Sequence, residues 1–342
     1  MKLSQWLGLS SVIIAGYLLW QIRQLLLLVF MAIVLTTALN RLVRSLERFN
    51  IQRKTAVILT FLTVIGLTVL FFWLIVPPFI EQFQNLLALL PKAISRLRAF
   101  VSTLQSQELE SSWLPNFLTD QSNVIAFPSV GAQVFRNFFA IFSNSVAAFL
   151  RSLFVLALTV MMLLNPQGYR KSFLKLFPAF YRRRADEILT LSEAALGNWL
   201  TGTVINCIFI GLLSGLGLWV LQIKLVLVHA LMAGILNFIP NLGPAASVVF
   251  PIMIALLDEP WKIWAVLVLY FIIQNIESYW LTPIVMAKQV SLLPAVTLIA
   301  QIFFASTFGI LGLLLALPLT VVAKTWLEEA LFKDLLDQWQ TS

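Results

Sequence analysis

Charge is scarce in this sequence. Only 11% of its 342 residues are Asp, Glu, Lys or Arg, against 60% hydrophobic residues, and the mean hydropathy is +0.92. A soluble domain carries about a quarter charged residues, because charge keeps its surface in water. This composition excludes an ordinary globular surface. Cysteine is nearly absent as well: Cys207 stands by itself, which excludes an intrachain disulfide and a cysteine metal cluster. Its place in an apolar run predicts a small buried side chain. The single histidine, His229, excludes a zinc-binding histidine pair and is expected to be packed near a helix start. No phosphate-cradling Gly-x-x-x-x-Gly-Lys loop and no Gly-x-Ser-x-Gly elbow occurs, which removes P-loop ATP hydrolysis and the common serine-hydrolase arrangement. The expectation is a non-enzyme, without cofactor or metal.

Long apolar blocks are what the chain has instead. Several reach the roughly 20 residues that cross about 30 Å of hydrocarbon. Backbone groups cannot stay unpaired in lipid, so a span is a helix or part of a closed barrel. Barrel strands alternate apolar and polar residues, and these blocks do not. The fold class is therefore an all-α integral membrane protein, with about 7–8 membrane segments, two of them broken helices or re-entrant hairpins in the C-terminal half.

Residues 1–78 read as N-terminal membrane spans. Apolar stretches at 6–21 and 24–39 flank Arg23, as two short spans or one bent hairpin. No small-residue cleavage site follows the first, so it is read as a retained span rather than a signal peptide. The cluster Arg41, Arg44, Arg48, Arg53, Lys54 marks a cytoplasmic loop. A third span over 55–76 is expected to stop at Pro77-Pro78, where two donors are lost.

Residues 79–135 differ in character. Ile80, Phe83, Leu87, Leu90, Ile94, Leu97, Val101 and Leu104 recur at helical spacing among charges, which predicts an amphipathic, extracytoplasmic-side region. A span over 136–165 follows, then a basic cytoplasmic loop over 166–196 carrying Arg170, Lys171, Lys175, Arg182, Arg183 and Arg184. With both basic clusters inside, the N- and C-termini are cytoplasmic. The triple arginine suits either simple orientation or anionic lipid headgroups. Residues 197–326 form the expected transport core, and 327–342 a cytoplasmic tail.

Two apolar segments of that core, 225–257 and 293–323, are interrupted near their middles by Pro240-Asn241-Leu242-Gly243-Pro244 and by Ser306-Thr307-Phe308-Gly309. Irregular backbone at membrane depth is tolerated only where protein buries it or water reaches it, and broken helices of this kind build solute and ion sites in secondary transporters. Asn237 and Asn241 would add side-chain hydrogen bonds. Between the two segments, Tyr270, Gln274 and Glu277 share one face at about 100° per residue, with Ser278 beside them. Glu277 is the one carboxylate inside the apolar C-terminal half, and such groups face a pathway or a partner. It could carry a proton or bind a cation, or it could reach headgroups or pair with Lys288. Gly211, Gly215, Gly217, Gly309 and Gly312 allow close helix approach.

In their order these elements resemble the autoinducer-2 exporter family, also called the PerM-type permeases. Asn198–Thr203 (NWLTGT) opens the fifth span. Phe238–Pro244 is similar to the family's Ile-Pro-x-x-Gly-Pro, Gln274, Glu277 and Pro283 to its Gln-x-x-Glu-(x5)-Pro, and Gly309, Gly312 and Pro318 to its closing Gly-x-x-Gly…Pro. Pro294 lies between, and the whole chain is covered. The sequence departs in having Thr203 where the family often has Gln, and Asn241 where an aromatic is common. The resemblance implies a secondary transporter of the bacterial inner membrane that exports a small polar solute such as autoinducer-2, with H+ or Na+ coupling left open. A sodium/proton antiporter of the same family and a non-transporting scaffold are the alternatives. The implied site residues are Asn237, Pro240, Asn241, Gly243, Pro244, Gln274, Glu277, Gly309 and Gly312. The implied partners are the solute, the coupling ion, membrane lipids and further copies of the chain, a pentamer by resemblance, with no nucleic acid.

Overall fold

The computed structural model describes residue 14 and residues 16–106, 146–281 and 293–336. Among these every regular element is helical: α1 (Arg23–Glu47), α2 (Arg53–Ser106), α3 (Val146–Leu164), α4 (Pro166–Leu174), α5 (Arg182–Val220), α6 (Val226–Leu236), α7 (Leu242–Asp258), α8 (Trp261–Ile276) and α9 (Pro294–Trp326). Two helices widen at their ends into π-helical turns, Glu277–Leu281 after α8 and Leu327–Leu336 after α9. Among the described residues five helical stretches are long and apolar enough to cross a membrane, Arg23–Glu47, Arg53–Ala93, Arg182–Val220, Trp261–Leu281 and Pro294–Asp334, and α3 taken with α4 makes a sixth, bent by 93°. Their large side chains point outward, with Trp73 75% and Leu212 64% exposed. Water would penalise such a surface, and lipid does not. The chain is a multi-pass all-α membrane protein.

It packs as two compact units, one of residues 1–61, 149–200 and 289–342, the other of 62–148 and 201–288. The first unit has an apolar core of Leu27 and Val34 from α1, Leu196 from α5 and Leu315 from α9, and a second core of Val43, Ala56, Val57 and Leu163. Arginines tie its polar ends. Arg53 donates to Leu163 O at 2.9 Å, Glu47 Oε1 at 3.0 Å and Asn40 Oδ1 at 2.9 Å, so one guanidinium caps α3 and joins it to the end of α1. Arg184 reaches Glu329 at 2.8 Å and Asp334 at 3.0 Å, and Tyr181 donates to Asp334 at 2.8 Å. Burial, then that bond to the carboxylate, pushes the Tyr181 hydroxyl pKa above its ordinary value. The last helical turns are therefore fastened to the basic loop.

The second unit centres on Phe83, Leu86, Leu218, Val228, Ile254 and Val266. Gly211 of α5 lies against Gly234 of α6, where a Cβ would meet the Gly234 Cα at 3.5 Å, so the expected packing role of that glycine holds. Lys262 pairs with Asp258, and Lys224 approaches the same carboxylate at 3.6 Å.

Three sequence expectations change. The chain does not double back at Arg23: Ile22 N donates to Leu18 O at 3.0 Å and Leu26 N to Ile22 O at 3.0 Å, so the helical hydrogen bonding runs through. Helix α2 does not stop at Pro77-Pro78 but contains both, and Pro91 as well. A proline removes one donor and strains one turn, and in a transmembrane helix local adjustment absorbs this while the apolar sequence on both sides continues. On α2 the buried face holds Phe83, Leu86 and Ala93, whereas Ile80 is 43% exposed. Of the stripe read by spacing, Phe83 is buried as expected and Ile80 is not. The part of the 79–135 region beyond residue 106 lies outside the described residues.

Candidate functional site in the second unit

The break at 237–244 is a tight helical hairpin. Helix α6 has 11 residues and reaches about 16 Å at 1.5 Å per residue, too short to span. Its N-terminus enters from Leu225 in the left-handed region (φ 62°, ψ 39°), and Gln82 Oε1 accepts from Val228 N at 3.3 Å. Helix α7 returns alongside α6, with Val228 and Ile254 meeting in one core. The segment 225–257 is therefore a helical hairpin rather than one long broken helix.

The turn satisfies its own backbone. Ile239 N donates to Leu236 O at 2.9 Å, Leu242 N to Pro240 O at 2.8 Å and Gly243 N to Ile239 O at 2.8 Å. Asn241 takes positive φ (67°, ψ −51°) at the centre of a γ-turn closed by the Leu242 N to Pro240 O bond, a strained conformation. At Gly243 a Cβ would lie 2.0 Å from Leu236 O, so the turn closes only over a hydrogen. Pro244 falls in the first turn of α7, where its missing N–H costs nothing, and its carbonyl accepts from Ser247 Oγ at 2.9 Å.

The hairpin docks on α8 through one carboxylate. Asn237 Nδ2 donates to Glu277 Oε1 at 3.0 Å, and Gln274 Nε2 donates to Glu277 Oε2 at 3.0 Å. Asn237 is 4% exposed, while Gln274 is exposed and Glu277 partly so. Each carboxylate oxygen thus accepts one amide N–H and keeps further acceptor capacity on the open side. Glu277 opens the π-helical turn, a local widening frequent at functional sites. Neither its bond to Asn237 nor that to Gln274 neutralises it, and Lys288 lies outside the described residues, as does Pro283. Ser278 is exposed.

Tyr270 precedes Gln274 by about one helical turn. Its hydroxyl is buried beside Ser214 of α5 and Ser247 of α7. Ser214 and Ser247 are hidden from sequence reading, since single serines on separate helices carry no spacing signal. His229 is fully buried, with Nδ1 2.8 Å from Leu225 O, as a packed histidine should be. Cys207 is free and only partly buried, less hidden than its apolar surroundings suggest.

Gly309 and Gly312 belong to the first unit. Gly309 has φ 66° and ψ −147°, a conformation essentially confined to glycine. A Cβ on Gly312 would lie 2.1 Å from Phe304 O. Eight residues of straight helix separate by about 12 Å, so the chain folds back at Gly309 and 293–323 is also bent rather than straight. No polar bridge crosses this bend among its hydroxyls: Ser306 and Thr307 both donate to Phe303 O, at 2.9 and 2.8 Å. Nearer the start of the core, Asn198 Oδ1 accepts from Arg41 Nη2 at 2.7 Å, and Thr203 is buried.

A model of the AI-2E transporter family matches residues 9–332. The AI-2 transport protein TqsA of Escherichia coli (strain K12) is 25% identical over 333 residues, 94% of this chain and 92% of that protein. “Putative transport protein YueF” of Bacillus subtilis (strain 168) is 24% identical over 293 residues, 84% of this chain and 79% of the relative. A shorter match, 28% over 155 residues, covers 45% of this chain and 44% of “Putative transport protein YrrI” of the same organism.

Proposed function

The chain belongs to the AI-2E transporter family, and on that premise we propose that it is a secondary permease exporting a small polar solute such as autoinducer-2 across the bacterial inner membrane. Transport by a permease follows from membership. The single observation that supports the site is the carboxylate of Glu277 held between the Asn237 and Gln274 amides at 3.0 Å each. A membrane-embedded carboxylate with fixed donors and spare lone pairs is suited to take a solute hydroxyl, a proton or a cation. The hairpin turn of Pro240, Asn241, Gly243 and Pro244 sets Asn237 opposite it. Gly309 and Gly312 supply a second bend that a moving core would use.

Sodium/proton exchange is a second reading, favoured by the same carboxylate, because alternate binding of H+ and Na+ to one oxygen pair couples their movements. In either case the termini are cytoplasmic and the working form is a homo-oligomer in lipid.

Flux in proteoliposomes of the purified chain tests both. Labelled autoinducer-2 and a pH-sensitive dye are followed under imposed proton or sodium gradients, for wild type and Glu277→Gln. Gradient-driven solute flux lost in the variant supports the coupled exporter. Sodium-driven pH change without solute flux favours the antiporter. Flux unaffected by the variant sinks the role of Glu277, and no flux of either kind moves the reading to a scaffold.

A further inference from the structure

The basic loop of the first unit separates into two sets of cations. One set is spent inside the protein. Arg170 pairs with Asp186 at 2.5 Å and Glu193 at 3.6 Å, and Arg184 is held by Glu329 and Asp334. The other set faces outward. Lys171, Lys175 and Arg182 are exposed and form no ion pair among the described residues. Arg182 makes one bond from Nε to Phe177 O at 3.1 Å. Arg183 is 95% exposed and only 3.6 Å from Glu187.

The backbone puts this second set at a definite level. Asn165 and Pro166 end α3 and start α4, with Asn165 Oδ1 accepting from Gly168 N at 3.0 Å. Helix α4 then runs at 93° to α3. α3 has 19 residues, all apolar but Arg151, Ser152 and Thr159, which suits a crossing of the bilayer, and a helix at right angles to it then lies along the membrane surface. α4 has no buried residue, and the turn after it leaves Leu176 78% and Phe180 87% exposed. Large apolar side chains interleaved with lysine and arginine along α4 and the turn that follows it match the interfacial pattern, in which the rings and aliphatic chains enter the acyl boundary and the cations stay at headgroup level. The inner side of the loop is anchored: Phe177 stacks on Trp326 with ring centroids 5.6 Å apart.

We infer that Lys171, Lys175, Arg182 and Arg183, with Leu176 and Phe180 as apolar anchors, form a binding surface for anionic phospholipid headgroups. The occupant is a lipid, because a soluble phosphate would have no use for the two exposed apolar side chains. Charge complementarity decides between lipid classes, since a zwitterionic headgroup carries its own cation. This inference does not depend on the solute or on Glu277.

The test is native mass spectrometry of the detergent-purified full chain with equal phosphatidylglycerol and phosphatidylcholine added. Wild type should retain the anionic lipid in preference, by about fivefold for each basic residue engaged. Lysine and arginine replacement in the K171Q/K175Q/R182Q/R183Q variant should bring the ratio near unity. L176S/F180S should weaken retention of both lipids while keeping the preference. Should the fourfold variant insert poorly, a salt titration of wild type serves, because the preference must collapse at high ionic strength. Equal retention of the two lipids by wild type overturns the inference and leaves an acidic protein surface as the occupant. A preference that survives charge removal or high salt overturns it too, as does displacement of the lipid by inorganic phosphate.

Discussion

The two interruptions of the C-terminal half look alike in hydropathy and are built differently. At 237–244 several residues make a turn whose backbone bonds are closed locally, and one side chain, Asn237, leaves it to reach a carboxylate on another helix. At 306–312 a single glycine with φ 66° reverses the chain, and the neighbouring hydroxyls fold back onto Phe303 O. Both need a glycine pressed against a carbonyl, Gly243 on Leu236 O and Gly312 on Phe304 O. Only the first offers polar atoms to a neighbour. A gap in an apolar run therefore has two meanings, a bend that closes on itself or a turn that reaches another helix, and the difference lies in where the polar side chains go.

That contrast is sharpest at Glu277. Replacing it with Gln should lower flux by more than about tenfold, the factor that follows from losing one charge-assisted hydrogen bond of about 1.5–3 kcal/mol. Thermal unfolding in detergent should shift far less than flux. An equal loss of both would make the carboxylate a structural clamp. Gly243→Ala and Gly312→Ala should each destabilise by about 1–3 kcal/mol or more, since overpacking against a backbone oxygen cannot be relieved by a rotamer change. Folded yield and unfolding midpoint measure this, and tolerance at either position would show that its turn is looser than drawn. Gly309→Ala meets open space and should cost about 1–3 kcal/mol from conformation alone. The smallest effect belongs to Gly66, inside α2 with nothing within 4 Å of a would-be Cβ. Gly66→Ala should be neutral or stabilising by up to about 1 kcal/mol, which separates glycines that shape the chain from one that does not.

The other comparison, between the two sets of loop cations, shows what counting charges misses. Arg170 and Arg184 look no different in sequence from Lys171 and Arg183. Their roles part because Asp186, Glu193, Glu329 and Asp334 reach only the first pair. Two of these acids come from the distant end of the chain, and no local pattern announces them.

Sequence by itself determined the solvent and the class of this protein. Apolar runs of span length in a chain with 11% charge admit only helices in lipid, because the backbone must satisfy itself there. It also determined which carboxylate and which prolines to watch, since polar and helix-breaking residues are conspicuous against an apolar background. Tertiary structure alone decided that 225–257 folds into a hairpin, that α2 runs through Pro77-Pro78, and that Asn237 and Gln274 share the oxygens of Glu277. Those outcomes depend on which partner a freed carbonyl or a buried amide finds. Asn237 and Glu277 stand 40 residues apart, and hydropathy and local spacing carry no term for a hydrogen bond across that distance.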